Sequence, residues 1–153
     1  MKVVIDTNVL IDGEYDDNSY ANKIINEILE GGIQAYANKK TLQENSLILH
    51  RLIKNQEYLR KVEEMLGKVQ RVVPKWIEDT PEDREDTKIL ASAVSADADY
   101  LITSDNGLLK IEEYQGVKIV DPATFWNKYR QEVLGDDDWG KFVRDFLSND
   151  TNQ

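Results

Sequence analysis

Apolar positions along the chain follow two alternating rhythms. Lys2 to Asp6, a short β-branched run without polar alternation, has the pattern of a strand buried on both faces, and further strands are predicted at Ile33 to Ala37, Tyr100 to Thr103 and Val117 to Val120. Between them lie stretches with helical spacing. The first carries Ile24, Ile25, Ile28 and Leu29, follows a polar loop at Gly13 to Asn18, and is stopped by Gly31-Gly32. Helices are then predicted over Thr41 to Ile53 and over Glu57 to Val69, the latter with Leu59, Val62, Met65 and Leu66 as its inner face. Val72-Val73 reads as a further short strand. Thr80-Pro81-Glu82-Asp83 has a cap, a proline and acids in the order of a helix start, and that helix runs through Val94. A short helical stretch around Leu108-Leu109 and a helix from Pro122 to about Val133 follow. Strands alternating with helices predict an α/β, three-layer fold with a central, mainly parallel twisted sheet flanked by helices. Residues 1–134 form that domain. Residues 135–153 carry Trp139, Phe142, Val143, Phe146 and Leu147 at helical spacing, a C-terminal amphipathic helix and tail that either packs back or meets a partner.

Composition narrows the class. A chain of 153 residues with 41% hydrophobic content supports one domain with an ordinary core. No apolar run is long enough to span a membrane, and Met1 to Asp6 reads as a first strand instead of a signal peptide. The absence of cysteine excludes disulfides, thiolate metal sites and cysteine nucleophiles, and fits a cytoplasmic location. A net charge of -10 argues against polyanions, but the charge is unevenly placed. Between Lys39 and Lys75 nine basic residues face four acids, leaving +5 in that window and -15 elsewhere. A basic arm beside an acidic remainder is compatible with a polynucleotide.

Candidate chemistry lies in four acids at structural boundaries. Asp6 ends the first strand, Asp105 follows the strand Tyr100 to Thr103, and a parallel sheet collects such positions at its carboxyl edge. Glu44 shares a helix phase with Leu47, Ile48 and Leu52, and Asp86 with Ile89, Leu90 and Ala93, so both carboxylates extend apolar stripes and are expected to point inward. Each acid alone has a plain structural reading as a cap or a turn former. Clustered carboxylates repel unless a cation holds them ionised. With no thiol and one histidine, an all-oxygen site points to magnesium or manganese (Mg2+ or Mn2+), ions that act on phosphodiesters.

These segments resemble the PIN-domain nuclease family, in its bacterial and archaeal branch that includes presumed toxins of toxin–antitoxin pairs. Val3-Val4-Ile5-Asp6-Thr7-Asn8-Val9-Leu10 is similar to the opening motif and Thr41-Leu42-Gln43-Glu44 to the second acidic position. Asp86-Thr87-Lys88-Ile89-Leu90-Ala91 and Ala98 to Asp105 resemble the distal pair of motifs, and the likeness continues through Gly116-Val117-Lys118-Ile119-Val120-Asp121-Pro122 to Phe125. It implies a PIN-like fold in which Asp6, Glu44, Asp86 and Asp105 bind one or two Mg2+ or Mn2+ ions and promote RNA hydrolysis. It implies that Asn8, Thr103 and Ser104 orient the acids or contact phosphate. Within the acidic run Glu78 to Asp86, phase and spacing select Asp86, and Asp83 either assists or favours the helix start. The expected partners are RNA, an antitoxin protein and a second copy in a homodimer, with no membrane.

Two other classes compete. A catalytically silent PIN-like module would bind RNA or protein but has no reason to retain four acids. A magnesium-dependent phosphatase with an aspartyl nucleophile at the first strand would want Asp at position 8, where Asn8 stands. No glycine-rich phosphate loop or Gly-x-Ser-x-Gly elbow exists, and His50 is alone, which excludes a two-histidine ribonuclease.

Overall fold

A computed structural model describes residues 1–75, 84–133, 135 and 146–147. The strands are β1 (Lys2–Ile5), β2 (Gln34–Asn38), β3 (Gln70–Val72), β4 (Tyr100–Ile102), β5 (Glu113–Tyr114) and β6 (Val117–Val120). The helices are α1 (Thr7–Asp12), α2 (Tyr20–Glu30), α3 (Lys39–Leu52), α4 (Gln56–Lys68), α5 (Arg84–Ser95), α6 (Asn106–Leu109) and α7 (Pro122–Glu132). One sheet runs in the order β3-β2-β1-β4-β6-β5, parallel throughout except for the β5–β6 hairpin. The predicted mainly parallel α/β architecture is therefore the observed one.

Alternation along β1 separates two cores. Val3 belongs with Ile24, Ile25, Val62, Met65 and Phe125 on one face, where α2, α4 and α7 pack. Val4 belongs with Leu90, Ala93, Leu101, Leu108 and Ile119 on the other, under α5 and α6. A period of two residues divides any strand between two faces, and here both are covered, which explains the continuous apolar runs. Gly31 ends α2 with φ 90°, a left-handed conformation that glycine adopts without a side-chain penalty.

Three details depart from the sequence reading. Thr7 to Asp12, for which the pattern predicts no element, forms α1, and Gly13 to Tyr15 within the expected loop forms a 3-10 turn. The β5–β6 hairpin was missed: Gln115 (φ 46°) and Gly116 (φ 87°) form its two-residue turn, both in the left-handed region that suits the twist of paired strands. The third departure concerns α3. Its expected inner stripe is exposed, with Leu47 at 74%, Ile48 at 37% and Leu52 at 47%, while Leu49 is buried. The helix buries the face of Leu49, a different phase from that of Glu44.

The helix start at Thr80-Pro81, and Asp83 with it, lies outside the described residues. So do Trp139, Phe142 and Val143 of the C-terminal stripe, of which Phe146 and Leu147 are helical and exposed. Among the described residues, no helix is long and apolar enough to cross a membrane.

Candidate active site

Chain direction creates the site. From β1 the chain moves to β2 and β3 on one side, then returns to β4 on the other. The carboxyl ends of β1 and β4 flank this switch point, where loops diverge and leave a crevice. Asp6 and Asp105 leave the sheet there. The Asp6 amide donates to Ile102 O at 2.9 Å, which places Asp6 beside the residues following β4.

Thr103 ties the two acids together. Its hydroxyl donates to Asp6 Oδ2 at 2.8 Å and accepts from the Asp105 amide at 3.0 Å, and the residue is fully buried. The Asp105 carboxylate also accepts from the Leu108 amide at 3.0 Å and heads α6. Asp6 heads α1, yet its side chain makes no capping bond into that helix. Burial is the largest influence on its carboxyl and raises its pKa, aided by the negative charge of Asp105. The Thr103 hydroxyl and the nearby amides of Thr7 and Asn8 oppose that rise without cancelling it. Asp6 therefore carries its charge at a cost in the protein alone.

Asp86 approaches from the opposite wall. It stands half-buried in the first turns of α5, and with Asp6 it lines a cavity of about 140 Å³. Leu90 and Ala93, in phase with it, are fully buried, as the stripe predicted. Gly107 reports how near Asp86 and Asp105 stand: a Cβ built there would lie 3.2 Å from Asp105 Oδ2 and 3.9 Å from Asp86 Oδ2. One methyl group would thus contact both carboxylates. Sequence pattern could not reveal this residue, because its role is an absence of volume between acids from separate motifs. Gly107→Ala is expected to leave the fold intact and weaken divalent-metal binding about tenfold, the size typical of disturbing groups around a metal. Calorimetric titration of both proteins checks it.

The remaining predicted residues divide. Asn8 is half-buried and its buried Oδ1 has no hydrogen-bond partner among the described residues. Ser104 is exposed. Glu44 is exposed on α3, while the next residue, Asn45, is half-buried and lines the cavity. Its inward orientation was inferred from a stripe that faces solvent, so that inference does not hold. His50 is a surface residue, its Nε2 2.5 Å from Glu63 Oε1.

Among the described residues, no three acidic or histidine side chains already converge on one point. The acids here nevertheless offer oxygen donors: Asp6 and Asp86 line the cavity together with Lys88, Asp105 stands beside Gly107, and the Asn8 Oδ1 is close in sequence. That donor set, with mutual repulsion between Asp6 and Asp105, fits a hard divalent cation.

Asp6, Asp86 and Asp105 thus stand near the switch point of a mainly parallel sheet. Residues 2–107 match the PIN domain family, and the chain belongs to that family, whose members are generally nucleases. The match takes in Asp6, Glu44, Asp86 and Asp105. No curated protein sequence matches significantly. Among solved structures, the chain is similar to VapBC2 from Rickettsia felis bound to a DNA fragment from their promoter. That likeness has a TM-score of 0.53 at 11% identity and covers 78% of this chain and 97% of the other, a similarity of fold.

Proposed function

We propose that the protein is a magnesium- or manganese-dependent ribonuclease and the toxin of a toxin–antitoxin pair. One observation carries the reading: Thr103 links Asp6 to Asp105 at the sheet's switch point, and Asp86 faces them across Gly107. Asp6, Asp86 and Asp105 would hold the cation, while Glu44 stays exposed on α3, outside the residues that line the cavity. A bound divalent ion supplies charge neutralisation at the phosphoryl group and activation of water. Thr103 fixes the orientation of Asp6 and the backbone of Asp105, while Asn8 and Ser104 stand beside them for phosphate or cation. The acids would repel RNA in the absence of metal, so substrate and cation arrive as a coupled pair.

Labelled single-stranded and structured RNAs, incubated with magnesium, manganese or chelator, test this directly. Cutting in either metal and none in chelator is expected. Equal cutting in chelator contradicts metal dependence, and metal binding without any cutting favours the silent binding module.

The basic window supports the choice of a polynucleotide. Lys39, Lys40, Arg51, Lys54, Arg60, Lys68, Arg71 and Lys75 are exposed, and none of them pairs with a carboxylate among the described residues. Lys39 and Arg71 line one groove beside the acidic cavity. Lys39→Ala and Arg71→Ala are each expected to weaken RNA binding uniformly across sequences and to lower the salt slope by about 1. Anisotropy titrations at several salt concentrations provide the check. The exposed Leu47 and Leu52 of α3 support a face covered by protein, as a homodimer or an antitoxin would cover it.

A further inference from the structure

The cavity beside Asp6 and Asp86 reaches further than phosphate chemistry requires. Its mouth is polar, but it continues between α3, α4 and the sheet onto buried Ala35, Leu49 and Met65, with Leu66 and Val69 beside them. The cavity as a whole, polar mouth included, holds about 140 Å³, close to the roughly 150 Å³ that accommodates a benzene ring. A hydrated cation or a phosphate gains nothing from that floor. A flat aromatic ring does.

The mouth adds a second requirement. Asn38 is already engaged, since its Oδ1 accepts from the Thr41 amide at 2.7 Å and its Nδ2 lies 3.4 Å from Ser92 Oγ. Asn45 is half-buried and lines the same cavity, and its side-chain amide makes no hydrogen bond among the described residues. Its amide presents a donor and an acceptor together, the pair that reads the edge of a heterocycle. A ligand matched to these features has apolar faces, a hydrogen-bonding edge, and an anionic group held at the carboxylates through a cation. Those are the parts of a nucleotide.

We propose that this cavity takes an unpaired nucleobase of the RNA beside the bond to be cut, with its ring over Leu49 and Met65 and its edge at Asn45. The proposal rests on the ribonuclease reading and adds a substrate class to it. A base in a duplex has its faces stacked and its edge paired, so only a single-stranded or flipped-out nucleotide can enter. Preference for one base then arises from the Asn45 amide and the shape of the floor.

Methyl NMR of the full chain in magnesium tests the pocket without relying on catalysis. Each of the four nucleoside 5′-monophosphates, and ribose 5-phosphate, is added in turn. At least one nucleotide is expected to shift the Leu49 and Met65 methyls, ribose 5-phosphate is not, and Ala37→Leu, which fills the cavity, should abolish the shift. Asn45→Ala, a milder variant, should reorder the four affinities. Equal shifts with ribose 5-phosphate, or none with any nucleotide, would overturn the proposal. RNA cleavage separates the two readings. An RNA made abasic beside the cut should lose at least tenfold in kcat/KM, and the same RNA annealed to its complement should resist cutting. Unimpaired cutting of both would refute the base pocket while leaving the ribonuclease intact. No cutting of any RNA, with the nucleotide shifts present, would refute the ribonuclease and leave a nucleotide-binding cavity.

Discussion

Asp6→Asn is expected to make the metal-free protein more stable and the enzyme inert. The sign follows from the raised pKa of this carboxyl, which burial and Asp105 together push above its ordinary value of 3.8. The folded state holds the Asp6 proton more tightly than the unfolded state does. Its contribution to stability therefore falls as pH rises from the ordinary carboxylate range to the raised pKa, and stays low above it. Asparagine keeps an oxygen acceptor for the Thr103 hydroxyl while removing the charge. A gain of about 1 kcal/mol at neutral pH would raise Tm by roughly 2–4 °C for a chain of this size.

Divalent metal should reverse the ranking. Wild type at a hundredfold excess over Kd gains about 2.7 kcal/mol, and the variant gains little. Metal affinity should also tighten with pH as the Asp6 proton ceases to compete. Thermal unfolding of both proteins, with and without magnesium, reads all of this. A variant less stable than wild type in chelator would show that Asp6 is not held at a cost.

Thr103→Val is the second large effect. Valine matches threonine in shape but leaves Asp6 Oδ2 and the Asp105 amide without the partner they share. A buried group stripped of its hydrogen bond costs about 1–3 kcal/mol, a loss of several degrees in Tm. Activity should fall roughly 10–100-fold, as when a group orienting metal ligands is lost. The hydroxyl lowers the Asp6 pKa, so its removal should move the acid limb of the pH–rate profile upward. An unshifted limb with normal activity would reduce Thr103 to a packing residue.

What was legible in the sequence follows from the range of each interaction. β1 and β4 are short apolar runs followed closely by polar residues, so the sequence itself places Asp6 and Asp105 just beyond strand ends. Asp86 was legible because α5 has one apolar face. The helix α3 offers two phases, Leu42 with Asn45 and Leu49, or Glu44 with Leu47, Ile48 and Leu52. Periodicity cannot tell a buried stripe from an exposed one. The cavity-facing Asn45 was missed for that reason. At six and two residues, α1 and β5 are too short for any period to register. Gly107 and the apolar floor of the cavity depend on contacts between distant segments and have no local signature.

If the protein is a ribonuclease, Asp6 and Asp105 belong to the one site that cuts RNA. The most direct measurement is cleavage of a labelled RNA in manganese and magnesium by wild type, Asp6→Asn and Asp105→Asn, purified identically. Cutting by wild type that falls at least a hundredfold in both variants, while both remain folded, is the predicted result. Retained cutting in either variant would remove that acid from the site, and cutting by neither variant nor wild type would contradict the ribonuclease itself.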